Sequence, residues 1–111
     1  MPITIFPNDY TKIISQNSLP TVIEFYATWC PKCMMMESVY QRVSVQLKGL
    51  MTFYKMDVDE ANTLATELGI EIFPTFIVYH KGKILGYTSG VLSEKILSER
   101  LRELASPIKK R

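Results

Sequence analysis

The feature that most constrains this chain is the placing of its only two cysteines, Cys30 and Cys33, in the stretch Ala27-Thr28-Trp29-Cys30-Pro31-Lys32-Cys33. The run before it, Thr21-Val22-Ile23-Glu24-Phe25-Tyr26, is apolar, β-branched and aromatic, and reads as a buried strand. Met34 to Leu47 follow, with Met36, Val39, Tyr40, Val43 and Leu47 at helical spacing. Pro31 suits the first turn of that helix, where a missing N–H costs nothing. The pair is thus expected at a strand-to-helix turn, Cys30 at the helix N-terminus and Cys33 about one turn in.

That position favours particular chemistry. Residues three apart on a helix have neighbouring Cβ atoms, close enough for a disulfide. A helix N-terminus carries partial positive charge and free N–H groups, which favour a thiolate. Lys32 adds a formal charge between the sulfurs. A cysteine so placed is a good nucleophile and leaving group, as thiol–disulfide exchange requires.

Composition narrows the alternatives. At 111 residues the chain is expected to form one domain, 1–111, with a core that needs no disulfide or metal staples. Two cysteines are too few for a disulfide-scaffolded secreted fold. A net charge of +2 gives no argument for nucleic acid or for an anionic membrane. No stretch approaches the ~20 apolar residues of a transmembrane helix. Met1-Pro2-Ile3-Thr4-Ile5-Phe6 lacks the basic and long apolar regions of a signal peptide, so a cytoplasmic protein is expected.

In order, Ile3 to Phe6 is a short strand candidate. A helix is expected from Pro7-Asn8-Asp9, with Tyr10, Ile13 and Ile14 on its apolar face and Asn17-Ser18 as its stop. The central strand Thr21 to Ala27 and the long helix, ended by Gly49, come next. Leu50 to Val58 reads as a strand, Asp59 to Leu68 as a short helix and Gly69 as its stop. Thr75 to Tyr79 and Lys83 to Thr88 flank a three-residue link, His80-Lys81-Gly82, and suggest a hairpin. Leu92 to Leu104 reads as a closing amphipathic helix with Leu92, Ile96, Leu97, Leu101 and Leu104 apolar. Ser106-Pro107 ends it, and residues 106–111 form a basic tail, read as solvated. Alternating strands and helices followed by a hairpin give an α/β fold with a mixed sheet.

Trp29-Cys30-x-x-Cys33 after a buried strand, with Phe73-Pro74-Thr75 before a hairpin, resembles the thioredoxin family. Lys55-Met56-Asp57-Val58-Asp59, Lys81-Gly82-Lys83 and Gly90 extend the resemblance, most clearly from Val22 to Leu104. It implies a central five-stranded mixed sheet with helices on both faces. It also implies a monomeric protein-disulfide reductase with no cofactor beyond its redox-active Cys30–Cys33 disulfide. Such a protein would be recycled by a thioredoxin reductase drawing on NADPH and would act on disulfide-containing client proteins. The chain departs from the usual family pattern in having Pro31-Lys32 for Gly-Pro between the cysteines and Met34 for Lys. Ser38 replaces the proline that commonly kinks the active-site helix, and Glu24 replaces a buried Asp.

Several residues admit two readings. Cys30 as nucleophile and Cys33 as resolving thiol outweighs half of a zinc site, which would need four N/S ligands when only His80 remains. Glu24, in an apolar strand, is read either, as the resemblance implies, as the proton acceptor that activates Cys33 or as an acid paired with Lys55 for structure alone. Lys55 is then a tuning residue or a plain surface lysine, and Lys32 and Pro31 tune the pair. The resemblance implies that Pro74 is cis, lies against the cysteines and, with the Phe73 backbone, receives an extended client by strand addition. Trp29, Ile72, Phe73 and Gly90 would complete that docking surface, although Trp29 and Phe73 could be core aromatics. The Met34-Met35-Met36 run reads as helix packing rather than a metal box. Two rival functions remain: a glutaredoxin-like, glutathione-dependent reductase, and a thioredoxin-fold adaptor without catalysis. Gly90-Val91-Leu92-Ser93 lacks the Gly-Gly-acid pattern that glutaredoxins use for glutathione.

Overall fold

A computed structural model describes residues 1–106, so the tail reading for 107–111 lies outside the described residues. Five strands form one sheet: β1 (Ile3–Thr4), β2 (Thr21–Tyr26), β3 (Thr52–Asp57), β4 (Thr75–His80) and β5 (Lys83–Ser89). Their spatial order is β1-β3-β2-β4-β5. The first three strands run parallel, and β4 and β5 run antiparallel to their neighbours, which gives the expected mixed sheet. Four helices surround it: α1 (Tyr10–Gln16), α2 (Pro31–Gln46), α3 (Asn62–Glu67) and α4 (Glu94–Leu104).

Strand alternation assigns the two faces of the sheet. Val22, Phe53, Phe76 and Val78 pack with Met36, Tyr40 and Val43 of α2 and Leu97 and Leu101 of α4. Ile23, Phe25, Met56, Ile77 and Tyr79 point the other way, onto Ile14 of α1 and Ala65 of α3. The central strand β2 is therefore covered on both sides, and Val22, Ile23 and Phe25 are fully buried. Burying each such side chain stabilises the fold by ~1.5–3 kcal/mol. Against that background an acid in the middle of the strand is costly.

Boundaries differ from expectation in ways that local chemistry explains. A single turn of 3-10 helix, Pro7–Asp9, precedes α1, and the Asp9 carboxylate accepts the Phe6 N–H at 3.0 Å. The β4–β5 link has two residues rather than three, because His80 pairs with Lys83. Lys81 (φ 53°) and Gly82 (φ 83°) both take the left-handed conformation that such a tight hairpin turn requires. Helix α2, by contrast, starts at Pro31, as the fit of that proline to a first turn predicts, and is one continuous helix through Ser38. Of the methionine run only Met36 is packed; Met34 and Met35 are exposed. Helix α4 begins with the Ser93 hydroxyl accepting the Ile96 N–H.

Candidate active site

Chain connectivity brings three separate segments together around Cys30. The first is the β2–α2 turn. Cys30 is the extended N-cap residue of α2 and its N–H donates to the Ala27 carbonyl, so both thiols sit where the helix begins. Cys30 and Cys33 are free thiols, each largely buried.

The second segment is Ile72-Phe73-Pro74. The Phe73–Pro74 peptide is cis, and the Cys30 thiol faces the Phe73 carbonyl oxygen at 3.8 Å. The Phe73 ring meets Trp29 edge-on at a centroid distance of 6.0 Å. The third segment is the loop after β5, where the Gly90 N–H donates to the Pro74 carbonyl at 2.9 Å. Trp29 (63%) and Ile72 (58%) are exposed, so Trp29 is not a core aromatic, whereas Phe73 is half-buried and packs against the core cluster that includes both cysteines. The Phe73 carbonyl thus faces the Cys30 thiol, Trp29 packs on the Phe73 ring, Gly90 is hydrogen-bonded to Pro74, and Ile72 is exposed beside Phe73 in sequence. Met34 and Val91 add exposed apolar surface beside them in sequence.

One contact of this surface was not foreseen from the sequence pattern. The Trp29 indole N–H donates to the Asp59 carboxylate at 3.0 Å, and the Asp59 N–H donates to Asp57. Asp59 lies far along the chain, within the turn that follows β3, and its carboxylate holds the indole N–H of the residue before Cys30.

The two thiols are displaced in opposite directions. Burial pushes the Cys30 thiol up, but hydrogen bonds from Cys33 and from the Cys33 and Lys32 backbone, with the Lys32 charge, bring it below the ordinary value. The Cys33 thiol is pushed up to about 12, first by burial and then by its Cys30 and Glu24 neighbours, against a lowering backbone bond at Ala27. Pro31 and Lys32 are exposed between them.

Behind Cys33 a cleft of about 260 Å³ is lined by Glu24, Tyr26, Glu37, Tyr40 and Lys55. Glu24 is only 4% exposed, and its carboxyl is pushed up to about 8. Burial is the main cause; Lys55 opposes it and Glu37 adds to it. Glu24 and Lys55 are register partners on β2 and β3. They nevertheless form no ion pair: among the described residues the single such pair is Arg42–Glu94. The Lys55 ammonium stands over the Tyr26 ring, 5.5 Å from its centroid. The purely structural pairing of Glu24 with Lys55 is therefore not what the geometry displays. His80 is held elsewhere, its Nε2 3.1 Å from the Ser18 carbonyl. Among the described residues no cluster of three His, Cys, Asp or Glu side chains could hold a metal.

The thioredoxin family model matches residues 2–103. The chain belongs to the thioredoxin family. It is 35% identical to a thioredoxin of Malassezia sympodialis over 89 residues, 79% of this chain and 85% of that one. It is 33% identical to the chloroplastic thioredoxin Y2 of Arabidopsis thaliana over 94 residues, 85% of this chain but 56% of that longer protein. The crystal structure of the Malassezia protein superposes with a TM-score of 0.83 at 27% identity, covering 95% of this chain and 91% of that one. With its Cys-x-x-Cys pair at a helix N-terminus, this thioredoxin-family chain is a thiol–disulfide oxidoreductase. These matches favour neither the glutaredoxin-like nor the adaptor alternative.

Proposed function

We propose that the chain reduces disulfides of client proteins as a single-domain, monomeric carrier, with Cys30 attacking and Cys33 resolving. The opposite displacement of the two thiols supports this most directly. Cys30 is the thiol that ionises more readily, whereas Cys33, pushed up to about 12, keeps its proton until a base removes it.

The Cys30 thiolate attacks one client sulfur, forming a Cys30–client disulfide and releasing the other client sulfur as a thiolate, which takes up a proton. The Glu24 carboxylate then accepts the Cys33 proton. The Cys33 sulfur bonds to Cys30 Sγ, and the bond from Cys30 to the client breaks with its electron pair on the client sulfur. The client leaves reduced, and the chain is left with a Cys30–Cys33 disulfide. Glu24 suits this task because its raised pKa makes it a stronger base than an ordinary carboxylate. Lys32 and Pro31 tune the Cys30 thiolate, and Lys55 tunes Glu24.

The client docks as an extended segment along Phe73 and Pro74, between Trp29, Ile72 and the Gly90 loop. Strand addition of this kind takes affinity from the backbone and leaves side-chain selectivity low. The electrons return from NADPH through a thioredoxin reductase, and this carrier role calls for a reducing compartment, for which we propose the cytoplasm. No helix among the described residues is long and apolar enough to cross a membrane.

The test is turnover of a disulfide-bonded protein with NADPH and either thioredoxin reductase or the glutathione system. The proposal expects fast turnover with the reductase. Turnover with glutathione alone would favour the glutaredoxin-like reading, and turnover with neither would favour an adaptor.

A further inference from the structure

The cleft behind Cys33 contains one charged group that the exchange steps do not use. Glu37 lies on α2 one helical turn after Cys33, so the two share a helix face. Both line the cleft together with Glu24 and Lys55. Glu37 is exposed at the rim, whereas Glu24 is buried behind it. Two carboxyl groups and the Lys55 ammonium therefore line one small volume, to which Met1 adds an amino group, with no ion pair among them. Charges left open to one another in this way act through their fields.

The signs determine the consequence. Lys55, from β3, favours the ionised form of Glu24, and Glu37, from α2, disfavours it. The remaining titratable neighbours are the Met1 amino group, Tyr26 on the same strand, Cys33 and Tyr40 on α2 and Asp57 on β3. The register partner on β4 is the apolar Phe76. The two phenols and the Cys33 thiol are uncharged near neutral pH, and Asp57 stands opposite Tyr26 at the end of the strand pair. Glu37 is thus the acidic group of the cleft placed to oppose Lys55.

We propose that Glu37 is a positioning residue for the resolving step: its rim carboxylate offsets the Lys55 ammonium and keeps Glu24 basic enough to take the Cys33 proton. With Lys55 unopposed, the Glu24 carboxyl would still be raised by burial but would hold its proton somewhat less tightly. The inference rests on Glu24 being the proton acceptor, and the test separates the two claims.

A mixed disulfide between Cys30 and a chromogenic aryl thiol is formed on the full chain, and Cys33 attack is followed by stopped-flow release of the chromophore across pH. Glu37→Gln is expected to move the midpoint of the profile to lower pH by a few tenths of a unit, the scale of a solvent-screened charge. Glu37→Lys is expected to move it further in the same direction. About 0.5 M salt should shrink both shifts, and the carboxyl-carbon NMR titration of Glu24 should move with them. Because Glu37 is exposed, these variants retain the fold. An unmoved midpoint, with the pH step still abolished in Glu24→Gln, overturns the role of Glu37 alone. A pH step that survives intact in Glu24→Gln overturns the Glu24 reading and this inference with it.

Discussion

Glu24 and Lys55 stand opposite each other on neighbouring parallel strands, yet no ion pair joins them. Lys55 leans over the Tyr26 ring instead, and the buried carboxyl is left facing the cleft that holds Cys33. Without a paired cation, burial dominates and lifts Glu24 to about 8. The same feature that makes the acid a base near neutral pH makes it expensive for the fold.

That cost has a defined pH window. The folded pKa of Glu24 lies above its unfolded value of 4.5, so the folded state binds the proton more tightly. Stability from this group is complete below about pH 4.5 and is lost as pH rises through about 8. A displacement of this size corresponds to about 4–5 kcal/mol as an order of magnitude. Glu24→Gln should therefore unfold at a higher temperature than the parent at about pH 9 and should lack the decline between pH 5 and 8. Thermal unfolding of both proteins across pH measures this. The same variant, and Glu24→Ala, should turn over disulfides more slowly. Lost stability with unchanged turnover would assign Glu24 a structural role only.

Lys32 supplies a second electrostatic prediction. Its charge stabilises the Cys30 thiolate, hence the dithiol form, relative to the neutral disulfide. Lys32 is exposed, so screening limits the effect to ~1 kcal/mol or less. With about 30 mV per 1.4 kcal/mol for a two-electron couple, Lys32→Glu should lower the potential by on the order of 10–20 mV. It should also raise the Cys30 pKa, and salt should shrink both changes. Thiol titration and equilibration against glutathione check them; a potential that rises would show that the helix terminus alone sets the poise.

Asp59 tests the docking surface. Its carboxylate holds the indole N–H of Trp29, the only tryptophan in the chain. Asp59→Ala should therefore change the intrinsic fluorescence. It should also reduce kcat/KM on a protein client by about fivefold, the scale of one hydrogen bond worth ~1 kcal/mol. Reduction of a small-molecule disulfide, which needs no docking, should change much less. Equal losses on both substrates would place Trp29 in the exchange chemistry rather than in client binding.

Much of this arrangement was legible in local pattern. The apolar, β-branched and aromatic run from Thr21 to Tyr26, Pro31 at a helix start and the spacing of Met36, Tyr40 and Val43 place the cysteines at a strand-to-helix turn, as found. The five-stranded sheet with helices on both faces was implied by the family resemblance rather than by periodicity, and its strand order was not read from either. What local pattern lacked was contact between segments distant in the chain. The Trp29–Asp59 bond and the convergence of Glu37 with Glu24 depend on how β3 and α2 pack on β2. The two-residue β4–β5 turn was missed because Lys81 adopts a positive φ that lysine seldom takes, which hid a turn that Asn-Gly would have signalled.

The division of labour between the two thiols is the central claim, and trapping tests it most directly. Cys33→Ser leaves Cys30 able to attack but removes the thiol that releases the client, so Cys30–client disulfides should accumulate on non-reducing gels. Mass spectrometry should locate every such bond at Cys30, and Cys30→Ser should trap few or no clients. Equal trapping by both variants, or bonds found at Cys33 in Cys30→Ser, would contradict the account.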